Sequence, residues 1–99
     1  MQTFAEQVYA YVAHVPKGKV STYFEIAKAL KNPRAARAVG NALNKNRSFD
    51  IIPCHRVVRS DGGLGGYVFG LPKKIALLKK EGVEVKNEKV DIKTFMYRP

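Results

Sequence analysis

The 99 residues predict a mainly α fold, a winged-helix-like helix-turn-helix domain closed by a small terminal β-hairpin. Three observations carry that expectation. Thr3-Phe4-Ala5-Glu6 and Thr22-Tyr23-Phe24-Glu25 both have the pattern of a capping box, and each precedes apolar residues at helical spacing. Two short helical stretches are separated only by Lys31 to Pro33, the tight connection of a helix-turn-helix. Val83, Val85, Val90 and Ile92 alternate about the polar turn Lys86 to Lys89, as a hairpin does.

In chain order, the first helix opens at Thr3, turns Phe4, Val8, Tyr11, Val12 and Val15 inward, and stops at Pro16 and Gly18. The second faces inward with Ile26, Ala27 and Leu30 and is brief because Asn32 and Pro33 intervene. Those two suit the N-cap and first position of a third helix, Arg34 to about Lys45, with Val39, Ala42 and Leu43 inside. Its outer face is thin, since Ala35, Ala36, Ala38 and Gly40 surround Arg34 and Arg37. A slender helix enters a groove closely and brings its arginines to phosphates or the base stack. The same residues equally describe a good helix former with solvated arginines.

Asp50 to Val58 reads as a buried, strand-like or turn segment broken by Pro53. Asp61 to Gly70 holds five of the eight glycines but fits neither the dinucleotide nor the phosphate-loop pattern, so it reads as a loop whose backbone approaches something closely. Pro72 opens another helix, with Ile75, Leu77 and Leu78 apolar, which ends at Glu81 with Gly82 as its cap. Nothing resembles a linker or a repeat, so 1–99 reads as one domain.

Hydrophobic content of 45% with 26% charged residues is that of a globular chain. Eighteen Lys and Arg against eight Asp and Glu give a net charge of +10. Residues 17–80 carry fourteen of those cations against Glu25, Asp50 and Asp61, a net +11, while the two ends together carry −1. Such clustering points to a polyanionic partner, nucleic acid ahead of an anionic membrane. The apolar runs fall far short of the roughly 20 residues that span a bilayer, and the N-terminus lacks the basic and apolar regions of a signal peptide. The expectation is a soluble chain without a membrane partner, cytoplasmic or, in a eukaryote, nuclear. Cys54 has no second cysteine to bridge to, and one Cys with two His makes no structural zinc site, so neither a metal nor a cofactor is expected.

The chemistry concentrates in Pro53-Cys54-His55-Arg56-Val57. A cysteine beside a histidine in basic surroundings suits an activated thiolate. An isolated cysteine is also commonly an inert small hydrophobe, and adjacent side chains on an extended segment point apart. The pair by itself leaves both readings open.

The wider pattern is more specific. Ile52-Pro53-Cys54-His55-Arg56-Val57-Val58, preceded by Asn32-Pro33-Arg34-Ala35-Ala36-Arg37-Ala38-Val39-Gly40 and followed by Gly65-Gly66-Tyr67 and Leu77-Leu78-Lys79-Lys80-Glu81-Gly82, closely resembles the catalytic domain of the alkylguanine-DNA alkyltransferases. The likeness runs from about Phe4 to Gly82, making 1–82 a family-like core and 83–99 a terminal extension similar to the tails of short, single-domain relatives. It does not extend to the N-terminal domain that many members carry.

That resemblance implies DNA repair by a protein that acts once. Cys54 would accept the alkyl group from the exocyclic oxygen of a damaged guanine, with His55 taking the thiol proton through a water and Glu81 holding the imidazole. Because a base inside a duplex cannot present its alkyl group to a buried thiol, the nucleotide is flipped out. The resemblance assigns Arg37 to the gap left in the stack, and sets the helix around Arg34 and Ala36 in the minor groove. Tyr23 would contact the flipped base and donate toward the ring as guanine leaves, and Asn46 would brace the loop before the active-site segment. Val57, Tyr67 and Val68 are expected at the substrate, Val68 through its backbone amide. Where the family often has a small hydroxyl residue and then glycine, this chain has Val68 and Phe69. The bulk of Phe69 is expected to narrow the pocket, so that methyl suits it and large adducts such as benzyl are disfavoured. The implied partner is double-stranded DNA, met by a monomer.

Two other classes compete. A non-catalytic lesion-recognition protein of the same family would bind damage and recruit other factors, but such relatives generally replace the cysteine, commonly with tryptophan, and Cys54 is present. A helix-turn-helix transcription factor leaves the Pro-Cys-His-Arg block unexplained, and alanines with glycine offer few contacts to base edges.

Overall fold

The computed structural model describes residues 2–48 and 51–99; Asp50, at the start of the predicted active-site segment, lies outside the described residues. Helix α1 (Phe4–Ala13) starts on a complete capping box, Thr3 accepting from the Glu6 amide at 3.1 Å and Glu6 accepting from the Thr3 amide at 2.9 Å. The second box is only half formed. Thr22 caps α2 (Tyr23–Ala29) by accepting from the Glu25 amide, but the Glu25 carboxylate lies 3.3 Å from Lys28 instead of turning back.

The third helix starts later than the sequence predicts. α2 closes in a Schellman motif, with the Lys31 amide donating to Lys28 and the Asn32 amide to Ala27, and with Lys31 in the left-handed region at φ 63°. Asn32 is thereby committed to ending α2 and does not cap its successor; Pro33 and Arg34 fall in a turn, and α3 (Ala36–Asn44) begins on Ala35 without a side-chain cap. The tight link between α2 and α3 is the predicted helix-turn-helix, and the Tyr9 hydroxyl pins α1 to it by donating to the Ala42 carbonyl at 2.6 Å.

Two two-residue strands hold the halves together. β1 (Ser21–Thr22) and β2 (Val57–Val58) pair in parallel, with Ser21 opposite Val57 and Thr22 opposite Val58. Neighbouring side chains on a strand face opposite ways. Val57 accordingly packs with Val8, Val12, Ile26, Val39 and Leu43 beneath the three N-terminal helices, whereas Val58 joins Val20, Leu64, Leu78, Val83 and Val90 in a second core.

The second core is built by α4 (Leu71–Lys80) and the last seventeen residues. Gly82 and Val83 end α4 in another Schellman motif, donating to Lys79 and Leu78. The predicted hairpin is present as β3 (Val85–Lys86) and β4 (Lys89–Val90), turning through Asn87 and Glu88, both at positive φ. A one-turn helix absent from the sequence reading, α5 (Ile92–Phe95), follows on an Asp91 cap. The segment is sewn to the body: the Val20 amide donates to Phe95 at 2.9 Å, the Tyr97 amide to Val20 at 2.7 Å, and the Val90 amide to Gly62 at 2.8 Å. Gly62 sits at φ +89°, and a Cβ there would run into the Val90 carbonyl oxygen. Among the described residues, no helix is long and apolar enough to cross a membrane.

One charged side chain lies wholly inside this core. Lys74 of α4 is fully buried, and its ammonium donates to the carbonyls of Val57 (2.7 Å), Gly66 (3.2 Å) and Leu64. It ties the glycine-rich loop to β2 from below. Burial pushes its pKa down from 10.5 to about 8, against a small upward pull from Cys54.

Two stability measurements test these placements. Gly62→Ala should cost about 2 kcal/mol or more in chemical denaturation, because the left-handed backbone and the carbonyl contact are both lost to a side chain. Lys74→Met, which leaves three carbonyls without their donor, should cost about 2–4 kcal/mol and speed amide exchange in the glycine loop. Between pH 8 and 10.5 the unfolded chain keeps a proton that native Lys74 releases, so this group adds stability as pH rises through that window, and Lys74→Met should abolish that slope.

Candidate active site

Cys54 opens a single turn of 3-10 helix (Cys54–Arg56) running straight into β2, where the sequence predicts a strand-like or turn segment. Pro53 interrupts strand pairing and the tight turn takes over. The consequence is that Cys54 and His55, both buried, make separate sets of contacts. The Cys54 thiol lies 3.7 Å from the Leu43 carbonyl and receives a 3.0 Å hydrogen bond from the Asn46 amide nitrogen. Asn46, itself buried, also donates to Ile52 at 3.2 Å and accepts from the Ser48 amide at 2.9 Å, so it links the end of α3 to the active-site segment.

His55 points the other way, to Glu81. The Nε2 to Oε2 distance is 3.0 Å, and Arg56 takes both oxygens of the same carboxylate, Nε to Oε1 at 2.9 Å and Nη2 to Oε2 at 2.7 Å. The third arm of Arg56 donates to the Val15 carbonyl at 2.8 Å. Burial pushes the Glu81 carboxyl up, but the hydrogen bonds and charges of Arg56 and His55 outweigh it and hold it below the ordinary range. For His55 burial wins over Glu81 and the pKa falls below 6.5, leaving a neutral imidazole near pH 7. The Cys54 thiol is pushed up by burial, opposed by the Asn46 hydrogen bond and the charge of Lys74.

Tyr23, the first residue of α2, walls the cavity in front of Cys54 together with Gly40, Leu43, Gly66, Tyr67 and Val68. Burial raises the Tyr23 pKa, as does Cys54, while Arg59 lowers it. Gly65 holds φ +70°, and a Cβ on it would stand 2.8 Å from the Tyr23 hydroxyl, so only glycine lets the loop lie against the ring. The cavity encloses about 20 Å³, room for one water. It adjoins an open groove of about 430 Å³ walled by Ala36, Arg37 and Gly40 of α3 and by Arg59, Gly65 and Gly66 opposite.

Cys54, Tyr23, Tyr67 and Val68 thus converge on one cavity, with Asn46 bonded to the thiol from behind, His55 and Glu81 behind it, and Ala36 and Arg37 on the adjoining groove. Arg34 is exposed in the turn before α3. Val57 does not face the site: its side chain is fully buried in the first core and its carbonyl is taken by Lys74. Phe69 does not narrow the cavity. Val68 and Phe69 occupy the corner of a turn closed by the Gly70 amide on the Tyr67 carbonyl, which throws the Phe69 side chain outward, 58% exposed, against the edge of Tyr67. Three cations escaped the sequence reading. Arg56 sat inside the recognised block without a visible partner, and Arg59 follows it closely. Lys74 carried a signal, standing on the inward stripe of α4 between Leu71 and Leu78.

Residues 3–83 match the family model described as the DNA binding domain of 6-O-methylguanine DNA methyltransferase. A methylated-DNA–protein-cysteine methyltransferase of Methanosarcina acetivorans is 48% identical over 79 residues, 80% of this chain and 51% of its own length. Among solved structures, S. pombe Atl1 in complex with damaged DNA containing O6-carboxymethylguanine superposes with a TM-score of 0.88 at 32% identity, each chain covered completely. Mycobacterium tuberculosis OGT in complex with DNA gives a TM-score of 0.78 at 40% identity over 83% of this chain and 50% of that one. The chain spans about half the length, or less, of the curated relatives it matches. A cysteine, its asparagine and the histidine–glutamate–arginine knot behind them therefore sit on a fold and a sequence pattern with one common origin: the chain belongs to the 6-O-methylguanine DNA methyltransferase family, which it matches through the DNA-binding domain.

Proposed function

We propose that this chain repairs duplex DNA by moving the alkyl group of an O6-alkylguanine onto Cys54, once per molecule. The supporting observation is the pairing of a buried Cys54 with a neutral His55 whose far nitrogen is held by Glu81, beside a groove bearing Arg37. The Cys54 thiol loses its proton, carried by a bridging water to His55. The thiolate attacks the alkyl carbon, the S–C bond forms, the C–O bond breaks, and the electron pair leaves with guanine. Tyr23 hands a proton to the departing ring, and the proton on His55 balances it.

Each residue has a physical reason for its part. Glu81 fixes the imidazole and favours the imidazolium that forms, and Arg56 keeps that carboxylate in place. Arg37 fills the gap in the base stack, reached by the thin alanine face of α3, with Arg34 toward the phosphates. Asn46 braces the loop before the active-site segment, the Val68 backbone meets the base, and Tyr67 forms its wall. A cavity of about 20 Å³ cannot take a purine, so binding requires its wall to open. Such a protein works in the compartment that holds DNA, cytoplasm or nucleus, as a monomer on the minor groove.

The end-to-end likeness to Atl1 favours a second duty, recognition of the lesion by itself. Mass spectrometry of the intact chain after incubation with a methylguanine duplex separates the two. One added methyl group on Cys54 is expected; Cys54→Ser should gain none yet still bind, and an unchanged wild-type mass under saturating binding leaves recognition alone. Arg37→Ala should slow transfer from duplex DNA far more than from the free base, and equal losses would remove its role in flipping.

The transfer rate should stay level down to pH 6.5 and fall only below it, as His55 gains a proton that the buried ring resists. The same depressed pKa adds stability that is present above pH 6.5 and lost on acidification. Glu81→Gln removes an interaction that raises the His55 pKa, so nuclear magnetic resonance should place the titration lower still, with a rate loss on the order of 10²-fold.

A further inference from the structure

Arg59 is held in place by its backbone, while its side chain stands largely exposed. Its amide donates to the Gly63 carbonyl at 2.8 Å and its carbonyl accepts from Gly62 at 2.9 Å, a closed turn. β4 backs this turn, through the Val90 amide on Gly62 and a bridge between Gly63 and Lys89. Because β1 and β2 run parallel with Thr22 opposite Val58, the next residues, Tyr23 and Arg59, leave the strands at the same edge. Tyr23 enters the Cys54 cavity wall, and Arg59 lines the groove beside it.

The side chain is 65% exposed, and its one ion-pair partner among the described residues is Asp61, at 3.7 Å and with its own side chain 55% exposed. A contact that long between solvated groups is worth little and is readily exchanged. Asp61 has another task, since its second oxygen accepts from the Gly63 amide at 2.8 Å. The groove thus has a guanidinium on each wall, Arg37 from α3 and Arg59 from the turn, and Arg59 also borders an adjoining hollow with Phe24 and Ser60. A planar fork of donors poised at a fixed point suits the paired oxygens of a phosphate, and on this wall Gly65 and Gly66 leave the guanidinium unobstructed, while Asn41 and Asn44 stand with Arg37 on the α3 side of the groove.

We propose that Arg59 is a phosphate-binding residue, which grips the backbone phosphate next to the nucleotide turned toward Cys54 and exchanges Asp61 for a phosphate oxygen. It rests on the DNA-repair reading above and adds a contact to it. The duplex is held from two sides: Arg37 works within the stack, and Arg59 holds the strand at the mouth of the cavity.

Fluorescence anisotropy with a labelled duplex carrying one O6-methylguanine tests it, in the Cys54→Ser background so that binding is read without chemistry. Arg59→Ala should weaken binding about tenfold at low salt. It should also flatten the plot of log affinity against log salt by about 0.9. Arg59→Lys should keep the slope and recover only part of the affinity, a point charge replacing a fork. Asp61→Asn, whose side-chain oxygen still accepts from Gly63, should tighten binding roughly two- to fivefold, and that gain should vanish when Arg59 is alanine. An unchanged slope in Arg59→Ala, or an Asp61→Asn gain of equal size in both backgrounds, overturns the proposal. If the wild-type chain acquires no methyl group while these slopes behave as expected, alkyl transfer fails and the phosphate contact stands.

Discussion

The Glu81 carboxylate is the knot on which the site depends. It receives two bonds from Arg56 and one contact from His55, and Arg56 reaches on to the Val15 carbonyl in the segment after α1. Three parts of the chain, distant in sequence, are thereby fixed to one partly buried anion. A carboxylate in that position is costly unless it is fully paired, and here both oxygens are taken. The pairing also does something no apolar substitute could, since it fixes which way the His55 ring faces. Cys54 is then left to Asn46 and Leu43, so the thiol and the imidazole are held by two independent sets of contacts.

Lys74 plays the complementary part on the other side of β2. As a buried cation bonded to three carbonyls, it holds the glycine-rich loop down against Tyr23 and closes the cavity to the size of a water. Tight closure and the proposed admission of a purine pull against each other. The outer corner of the loop, Val68 and Phe69, is exposed, whereas Tyr67 before it packs against the first core.

Much of this was legible in the sequence because local chemistry decided it. The Thr3 capping box, the helix-turn-helix link, the terminal hairpin and the stop at Gly82 all follow from residues adjacent in the chain. The misplaced features share one cause, competition from a partner elsewhere. Asn32 is a good N-cap by type, yet its amide closes α2 on Ala27. Val57 stands beside the catalytic block, yet the alternation of a strand turns it into the core. Phe69 looked obstructive as a bulky residue in a glycine's place, and only the turn from Tyr67 to Gly70 shows that it points away. The family resemblance brought Cys54, His55 and Glu81 together across 26 positions, but it supplied no partner for Arg56 or Lys74.

The strand pair β1–β2, only two residues on each side, has a consequence for how the chain tolerates changes in length. Its register sets Tyr23 and Arg59 at one edge, and the 3-10 turn sets Cys54 three residues before Val57. One residue added between Cys54 and β2 would exchange the faces of Val57 and Val58, sending each toward the wrong core while rotating the thiol away from Tyr23. The exposed turn at Asn87 and Glu88 has no such duty and can lengthen with little cost to the body of the domain. The stretch least able to absorb an insertion is therefore among the shortest pieces of regular structure in the protein, because it measures out the distance between Cys54 and the Tyr23 wall of its cavity.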